Sequence, residues 1–146
     1  MKSYLLSLGI GSNGEISTSD AANATVVANS TNTTVTKFNE LKYFTGITTS
    51  KGGLYGSSTG AIKFYNWTAL EEVDVSNFTS IGHTGGSWWE DTFSNCTSLK
   101  KVTASSNLTA IGYNAFAWCS NLEDIIGLSG DIALYGSAFY SCKKLK

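Results

Sequence analysis

AFAWCSNLEDI, at residues 115–125, carries the pattern from which the fold follows. AFYSCKKL at 138–145 repeats it downstream, and TFSNCTSLKKV at 92–102 precedes it. In these three segments phenylalanine, cysteine and leucine each recur at one constant spacing. Three residue types that keep one period over two intervals indicate a structural repeat, because composition alone does not fix spacing. The recurring positions are Phe93, Phe116, Phe139, Cys96, Cys119, Cys142, Leu99, Leu122 and Leu145.

The pattern continues towards the N-terminus with a longer period. Leu41, Leu70 and Leu99 are equally spaced, and the interval between them exceeds that between Leu99 and Leu122. With this spacing, Trp67 and Phe38 are assigned to the cysteine position of their copies. Insertions in a stack of repeats map to loops on one face, which is often a binding face. The extra residues fall in two glycine-rich segments, TSKGGLYGSSTG at 49–60 and IGHTGGSWW at 81–89.

Each regular copy contains apolar and polar residues in alternation, which predicts a half-buried strand. In the copy at 99–104, Lys101 and Thr103 are predicted to face out, and Leu99, Val102 and Ala104 to face in. A second extended piece is predicted at 107–112, and a tight helical turn at A-F-x-x-C. Because one copy cannot bury its own apolar residues, we expect stacked copies in which each residue type forms a ladder.

The unit A-F-x-x-C-x-x-L-x-x-(V/I) strongly resembles the BspA-like leucine-rich repeats, whose unit contains AFxxCxxLxxIxLP. The resemblance is specific over 64–146 and looser over 35–63, and the usual proline is missing, with Ser105 near its place. It implies a leucine-rich-repeat solenoid of short parallel strands and turns stacked in rungs. It also implies display on host-associated bacteria or in phage-encoded proteins, and binding of host proteins or other cells.

The segment 1–34 does not repeat, and we expect it to form a small helical N-terminal cap over the first rung. One short helix is predicted at 3–8, and a second starts with Thr18 or Ser19 as its N-cap. The repeats then occupy residues 35–146. Their expected bounds are 35–63 and 64–92 for the degenerate copies, 93–115 and 116–138 for the regular copies, and 139–146 for a partial copy.

Charged residues beside the core leucines alternate in sign from rung to rung. This alternation favours one strand register, because neighbouring strands then place opposite charges side by side. The alternative, a groove for a charged ligand, is weaker because alternating signs cancel at a distance. The residues concerned are Lys42, Glu71-Glu72, Lys100-Lys101, Glu123-Asp124 and Lys143-Lys144.

Composition excludes several classes of function. The formal net charge is −1, whereas a nucleic-acid-binding protein carries a basic face. No apolar run approaches the ~20 residues that cross a bilayer, so no membrane insertion is expected. The start, MKSYLLSLGIGSNG, has a short apolar part that glycine interrupts, so it is not a convincing signal peptide. The low charged content of 14% and the family resemblance together predict a cell-surface, extracellular or virion-surface location.

No residues form a convincing catalytic or metal site, and no cofactor is predicted. His83 is the single histidine and lies in a glycine-rich insertion without a nearby nucleophile motif. The three cysteines are expected to be reduced and buried, with side chains too parallel for disulfides. The tract at 9–20 mimics a calcium-binding loop, but Gly9 and Gly11 replace the first two ligands and offer no side-chain oxygen.

Aromatic side chains are the best functional indication. Trp88 falls at the position of Ile111 and Leu134, so it is predicted to be buried. The remaining aromatics lie off the core ladders, around the turn before A-F-x-x-C. Exposed tyrosine and tryptophan are favoured at interfaces, although they could equally cover gaps between turns. The predicted binding residues are Trp89, Tyr113, Trp118, Tyr135 and Tyr140.

Two functions from different classes follow. The first is a non-catalytic module for adhesion or host recognition, which binds a protein or glycan from a bacterial surface or phage particle. The second is a structural, self-assembling component of a virion or larger surface protein. It is suggested by the end of the chain within a repeat, where the last rung should expose an apolar edge to another subunit or to a longer chain.

Overall fold

The computed structural model describes residues 1–24, 33–45, 64–84 and 92–146. Two short helices come first, α1 (Lys2–Ser7) and α2 (Thr18–Asn23). A 3-10 helix follows at Asn39–Tyr43, directly after the first strand. The strands are β1 (Lys37–Phe38), β2 (Glu72–Asp74), β3 (Ser80–Ile81), β4 (Lys101–Thr103), β5 (Ala110–Ile111), β6 (Asp124–Ile126) and β7 (Ala133–Leu134).

The strands form two parallel sheets in which consecutive repeats are neighbours. One sheet has the order β1-β2-β4-β6, and the other has the order β3-β5-β7. Val73 pairs with Val102, and Val102 pairs with Ile125. The valine position of the sequence pattern is therefore one continuous row. The prediction of short parallel strands stacked copy on copy is confirmed.

A column of phenylalanine rings runs through the repeats. Phe64, Phe93, Phe116 and Phe139 stack with centroids 4.9, 5.2 and 5.5 Å apart and planes within 4° of parallel. Leu99, Val102 and Ala104 are buried, whereas Lys101 is exposed and Thr103 half-buried. The predicted ladders and the predicted inward and outward faces of this strand are confirmed.

The first copy has a different register from the one predicted. Phe38 pairs with Val73, so Phe38 occupies the valine position and its assignment to the cysteine position is wrong. The carbonyl of Thr36 accepts the N–H groups of Glu71 and Glu72 at 2.7 and 3.3 Å. The segment Val35-Thr36-Lys37-Phe38 therefore lies beside Leu70-Glu71-Glu72-Val73 of the next copy.

The 3-10 helix explains this error. It follows β1 directly and buries Leu41, while the next residue after it, Phe44, is buried as well. The equal spacing of Leu41, Leu70 and Leu99 therefore does not make Leu41 equivalent to the other two leucines.

The F-x-x-C segment is a reversing turn, so the prediction of a helical turn is wrong. Cys96 N–H donates to the Phe93 carbonyl at 3.1 Å, which closes a four-residue turn. Its third residue, Asn95, has φ 61°. A positive φ at this position is the signature of a type II turn. The equivalent third residues are left-handed as well: Asn66 at φ 61°, Trp118 at φ 60° and Ser141 at φ 61°.

In the second sheet, Ile81 pairs with Ile111, which pairs in turn with Leu134. Ile81 therefore fills the position predicted for Trp88, and the assignment of Trp88 to that position is wrong, while its burial stays a prediction. Trp88 itself lies outside the described residues. The inserted residues of this copy come after Ile81, which makes the spacing from Ile81 to Ile111 longer than the regular period.

The N-terminal helices contact the beginning of the stack. Leu5 and Ala21 belong to the same buried cluster as the repeat core. The Tyr4 ring meets the Trp67 indole edge-on, with centroids 5.1 Å apart. Helix α2 begins with a capping box between Ser17 and Asp20, so the N-cap is one residue before the predicted Thr18.

Opposite charges pair between the first rungs, but among the described residues no ion pair joins Lys100-Lys101 to Glu123-Asp124. Lys100 contacts Glu71 at 3.0 Å, as the alternation predicts. In the first copy Lys37 contacts Glu72 at 2.6 Å, and Lys42 contacts Asp74 at 3.3 Å in place of the predicted Glu71-Glu72. In the last copy, Lys143 and Lys144 precede Leu145 and lie in its turn, so Lys146 follows the core leucine. Such exposed pairs each contribute roughly 0–1 kcal/mol, so they select the register more than they stabilise it.

Candidate binding surface

Four of the five predicted binding residues form two ring contacts between successive repeats. Trp118 and Tyr140 meet edge-on, with centroids 5.6 Å apart and planes at 83°. Tyr113 and Tyr135 are 5.4 Å apart and tilted by 56°. The fifth residue, Trp89, lies outside the described residues.

Trp118 and Tyr140 lie on consecutive reversing turns. Trp118 is the third residue of the turn F-A-W-C, and Tyr140 is the second residue of the turn F-Y-S-C. The Trp118 N–H donates to the Tyr140 carbonyl at 2.7 Å, which ties the two turns together. The tyrosine is 57% exposed, and the tryptophan is half-buried. These two residues therefore form an accessible aromatic surface, which we call the Trp118–Tyr140 surface.

Trp118 occupies a strained backbone position. It has φ 60°, where the other repeats carry asparagine or serine. Asparagine tolerates left-handed backbone, but for a bulky residue this conformation is a genuine outlier. Its cost is about 1–2 kcal/mol for an ordinary L-residue. Since the indole is only half-buried, complete burial does not offset that cost.

In the two copies before Trp118, the equivalent turn position is occupied by asparagine, Asn66 and Asn95. The Asn95 side-chain amide donates to the Oδ1 atom of Asn66 in the preceding copy. Trp118 is next in this row. It thus stands where an amide would continue a hydrogen-bonded ladder.

The Tyr113–Tyr135 contact is better explained by packing. A Cβ added to Gly136 would lie 3.1 Å from the Tyr113 ring, so the ring rests against the glycine. Both tyrosines are half-buried. This pair covers the gap between two rungs, as the alternative interpretation proposed for the aromatics.

The three cysteines form a structural ladder. Each Sγ donates to the phenylalanine carbonyl of the preceding copy at 3.0 Å, from Cys96, Cys119 and Cys142. All three are free thiols, as predicted. Burial raises the pKa of Cys96 to about 12 and that of Cys142 to about 11. Burial is the main cause that raises the Cys119 pKa well above its usual value, and the charges of the neighbouring cysteines add a smaller effect. At neutral pH these groups are protonated, and a protonated thiol is neither a nucleophile nor a metal ligand.

The backbone of His83 is held beside the second sheet by Tyr113. The Tyr113 N–H donates to the His83 carbonyl at 2.9 Å, and the two residues form an isolated bridge. Across the described ranges, no three or more His, Cys, Asp or Glu side chains group so that they could hold a metal ion. Within the same ranges, no helix is both long and apolar enough to cross a membrane.

A cleft that the sequence did not reveal lies near the N-terminus. It encloses about 380 Å³ between α1, α2 and the 3-10 helix. Its apolar lining includes Leu5, Ile16 and Phe44, with Lys2 and Glu15 paired at 2.8 Å beside them. Three segments distant in sequence form its walls, so no single motif could have predicted it.

Comparison with protein families agrees with the repeat geometry. The family described as BspA type leucine rich repeat region matches residues 57–146 in six copies. The chain belongs to this BspA-type leucine-rich repeat family. Neither the curated proteins nor the solved structures provide a significant match. BspA-type repeats generally mediate protein interaction, are typically surface-associated and are typically non-catalytic.

Proposed function

We propose that this BspA-type chain is a non-catalytic recognition module that binds a protein or glycan through the Trp118–Tyr140 surface. The observation that carries the proposal is the left-handed backbone of a half-buried tryptophan. Strained residues cluster at functional sites, where the surrounding structure holds them against their local preference. A tryptophan kept in such a position without full burial supports a role in binding.

The chemistry of the two rings suits recognition. Tryptophan and tyrosine are enriched at energetically dominant interface positions, because a rigid ring offers large contact area at a small entropy cost. The edge-on contact of Trp118 with Tyr140 restricts both rings before a partner arrives. Rings already held in place lose little freedom on binding, which favours affinity.

The repeats supply the scaffold. We infer a solenoid whose first rungs are covered by the N-terminal helices, supported by the burial of Leu5 and Ala21 with the repeat core. The turn that carries Trp118 is tied to its neighbours by Cys119, Phe116 and the backbone bonds described above. A binding residue on such a rigid element keeps its geometry better than one on a free loop.

The family resemblance supports display on a bacterial surface or a phage particle, with a role in adhesion or host recognition. The protonated, buried thiols of Cys96 and Cys119 support a function without catalysis. The net charge of −1 supports partners other than nucleic acid.

A screen with matched variants tests the proposal. Purified chain is applied to an array of host surface proteins and to a glycan array, and hits are titrated by biolayer interferometry. Tyr140→Ser should weaken a genuine hit at least about tenfold, the loss of one good aromatic anchor. Tyr43→Ser removes a ring that is 51% exposed on the 3-10 helix and should leave affinity unchanged.

Two outcomes would contradict the proposal. Equal affinity of wild type and Tyr140→Ser for every hit would show that binding uses another surface. Loss of the folded state in Tyr140→Ser, measured by circular dichroism, would show that this ring is needed for the fold.

A further inference from the structure

Three equivalent residues lie in a row along the stack, each at the third position of its reversing turn. They are Asn66, Asn95 and Trp118, and all three are half-buried. Backbone bonds keep them in line. The Asn66 N–H donates to the Ser94 carbonyl of the next copy at 3.1 Å. In the same way, the Asn95 N–H donates to the Ala117 carbonyl at 2.8 Å. We call Asn66, Asn95 and Trp118 the amide–indole row.

The two amides of this row leave hydrogen-bonding groups available to a ligand. The Asn95 side-chain N–H donates to the Oδ1 atom of Asn66, which orients both groups. Within the described part of the chain, the side-chain N–H groups of Asn66 and the side-chain oxygen of Asn95 have no other partner. An available donor beside an available acceptor matches neighbouring sugar hydroxyls, because each hydroxyl both donates and accepts.

The turns that carry the row are uncharged. Residues 65–69, 94–98 and 117–121 contain no Asp, Glu, Lys or Arg. Half-buried Thr97, Ser120 and Asn121 add hydroxyl and amide groups. A charged ligand would give up hydration here without gaining an ion pair, which is unfavourable. A neutral, hydroxyl-rich ligand exchanges hydrogen bonds with water for hydrogen bonds with the turns.

The spacing of the row fits a chain of sugars. The rungs that carry it are 4.9 and 5.2 Å apart, measured between the centroids of the phenylalanine rings that begin these turns. In an extended oligosaccharide, such as those of cellulose or chitin, each pyranose advances by nearly the same step. Successive sugars along the stack would therefore meet Trp118, then Asn95, then Asn66. The indole offers flat apolar area to the C–H face of a pyranose and an N–H group as a polar handle.

We propose that the ligand of the recognition surface is a neutral, extended oligosaccharide that lies along the amide–indole row. This inference rests on the proposed function and chooses a glycan over a protein. One pyranose packs on Trp118, and the next two form hydrogen bonds to Asn95 and Asn66. A protein partner would use the aromatic rings but has no need of an amide at each successive rung.

Isothermal titration calorimetry with named probes tests the ligand class. The neutral probes are cellohexaose, chitohexaose and mannohexaose, and a heparin hexasaccharide is the charged comparison. We expect at least one neutral probe to bind. Its affinity should be the same at low and high salt, because salt screens only interactions between charges. The heparin fragment should not bind.

Variants of the row test where the sugar binds. Trp118→Asn should weaken binding at least about tenfold, the loss of one aromatic anchor. Asn95→Ser should weaken it about threefold to tenfold through lost hydrogen bonds. Serine suits this turn position, because Ser141 adopts φ 61° there. Asn107→Ser changes an exposed asparagine in the turn before β5 and should leave affinity unchanged. Circular dichroism confirms that each variant is folded.

Failure of this inference is distinguishable from failure of the proposed function. If no neutral probe binds, or the heparin fragment binds best, a neutral oligosaccharide is excluded. A protein hit that weakens in Trp118→Asn would then still support recognition by this surface. Sugar affinity unchanged in Asn95→Ser excludes the amide part of the row. If Trp118→Asn changes the affinity of no sugar and no protein hit, or fails to fold, both proposals are wrong.

Discussion

At the scale of single residues, Trp118 holds an indole at φ 60° where equivalent turns carry Asn66, Asn95 and Ser141. Asparagine at this position has a second advantage, because its amide can bond to the amide of the neighbouring rung. Tryptophan gives up both the favourable backbone and the amide bond. In return it places a large ring beside the exposed Tyr140. A residue that lowers local stability while it enlarges an accessible surface is better explained by binding than by folding.

The cysteine ladder gives a prediction that separates its three members. Cys142 should react with iodoacetamide first at pH 8, because it is half-buried, whereas Cys96 and Cys119 are fully buried. Cys142 should still react more slowly than the amino acid cysteine in solution, because burial raises its pKa to about 11. Mass spectrometry of peptides over a time course measures the order. Labelling of Cys96 at the rate of free cysteine, in folded protein, would contradict the buried ladder.

At the scale of elements, two glycines occupy neighbouring turns with different constraints. A Cβ on Gly112 would lie 2.5 Å from the His83 carbonyl oxygen, which belongs to the backbone of the adjacent rung. A Cβ on Gly136 would meet only the Tyr113 ring, which can move. The second sheet therefore depends on Gly112 for the close approach of β3 and β5.

We predict that Gly112→Ala lowers the free energy of unfolding by about 2–3 kcal/mol, because backbone must shift to admit the methyl group. Gly136→Ala should cost under about 1 kcal/mol, since a single side chain can move to relieve the contact. Urea denaturation of the two variants compares these values. Equal destabilisation by both substitutions would mean that β3 and β5 do not approach as described.

The ion pair between β1 and β2 gives a dependence on pH. A hydrogen bond from Lys37 lowers the pKa of Glu72 below its usual value of 4.5. A carboxyl group with a lowered pKa adds stability above its unfolded pKa, and this contribution disappears as pH falls through the folded pKa. Glu72→Gln should therefore reduce the loss of stability below pH 4.5, measured by thermal melting across pH. If the melting temperature falls equally below pH 4.5 in Glu72→Gln and in the wild type, the pair does not stabilise the fold.

The elements show why sequence predicted the regular copies and not the irregular ones. Between Phe93 and Leu145, one period fixes the strands, the phenylalanine column and the cysteine ladder. Before that segment, equal spacing of leucines suggested a register that the 3-10 helix breaks. The insertion after Ile81 likewise displaced the prediction for Trp88. A period reports equivalent positions only where no residues have been inserted between them.

The candidate binding surface was predictable in part. Its residue types and turn location follow from the sequence, because Trp118, Tyr135 and Tyr140 fall outside the core ladders. Which rings are accessible does not follow, since Tyr113 fits over a glycine of the next rung and Tyr140 does not. The left-handed backbone of Trp118 also required the structure, because tryptophan is not a residue from which positive φ is inferred.

At the scale of the whole molecule, each repeat contacts chiefly its neighbours, so stability is close to a sum over rungs and their contacts. Such a molecule can hold one strained residue without losing its fold, because the adjacent rungs remain intact. Here the strained residue is Trp118, two positions after Phe116 of the phenylalanine column. We propose that the stack carries Trp118 for recognition, at a cost in stability.

The unfolding free energy of a series at position 118 tests this claim most directly, by urea denaturation of Trp118→Gly, Trp118→Ala and Trp118→Asn beside the wild type. Glycine and alanine both remove the ring, but only glycine relieves the left-handed backbone. We therefore predict that the glycine variant exceeds the alanine variant by about 1 kcal/mol. The asparagine variant should be at least as stable as the wild type. Asparagine and glycine variants that both lose more than about 2 kcal/mol would contradict the claim, because Trp118 would then be a core residue.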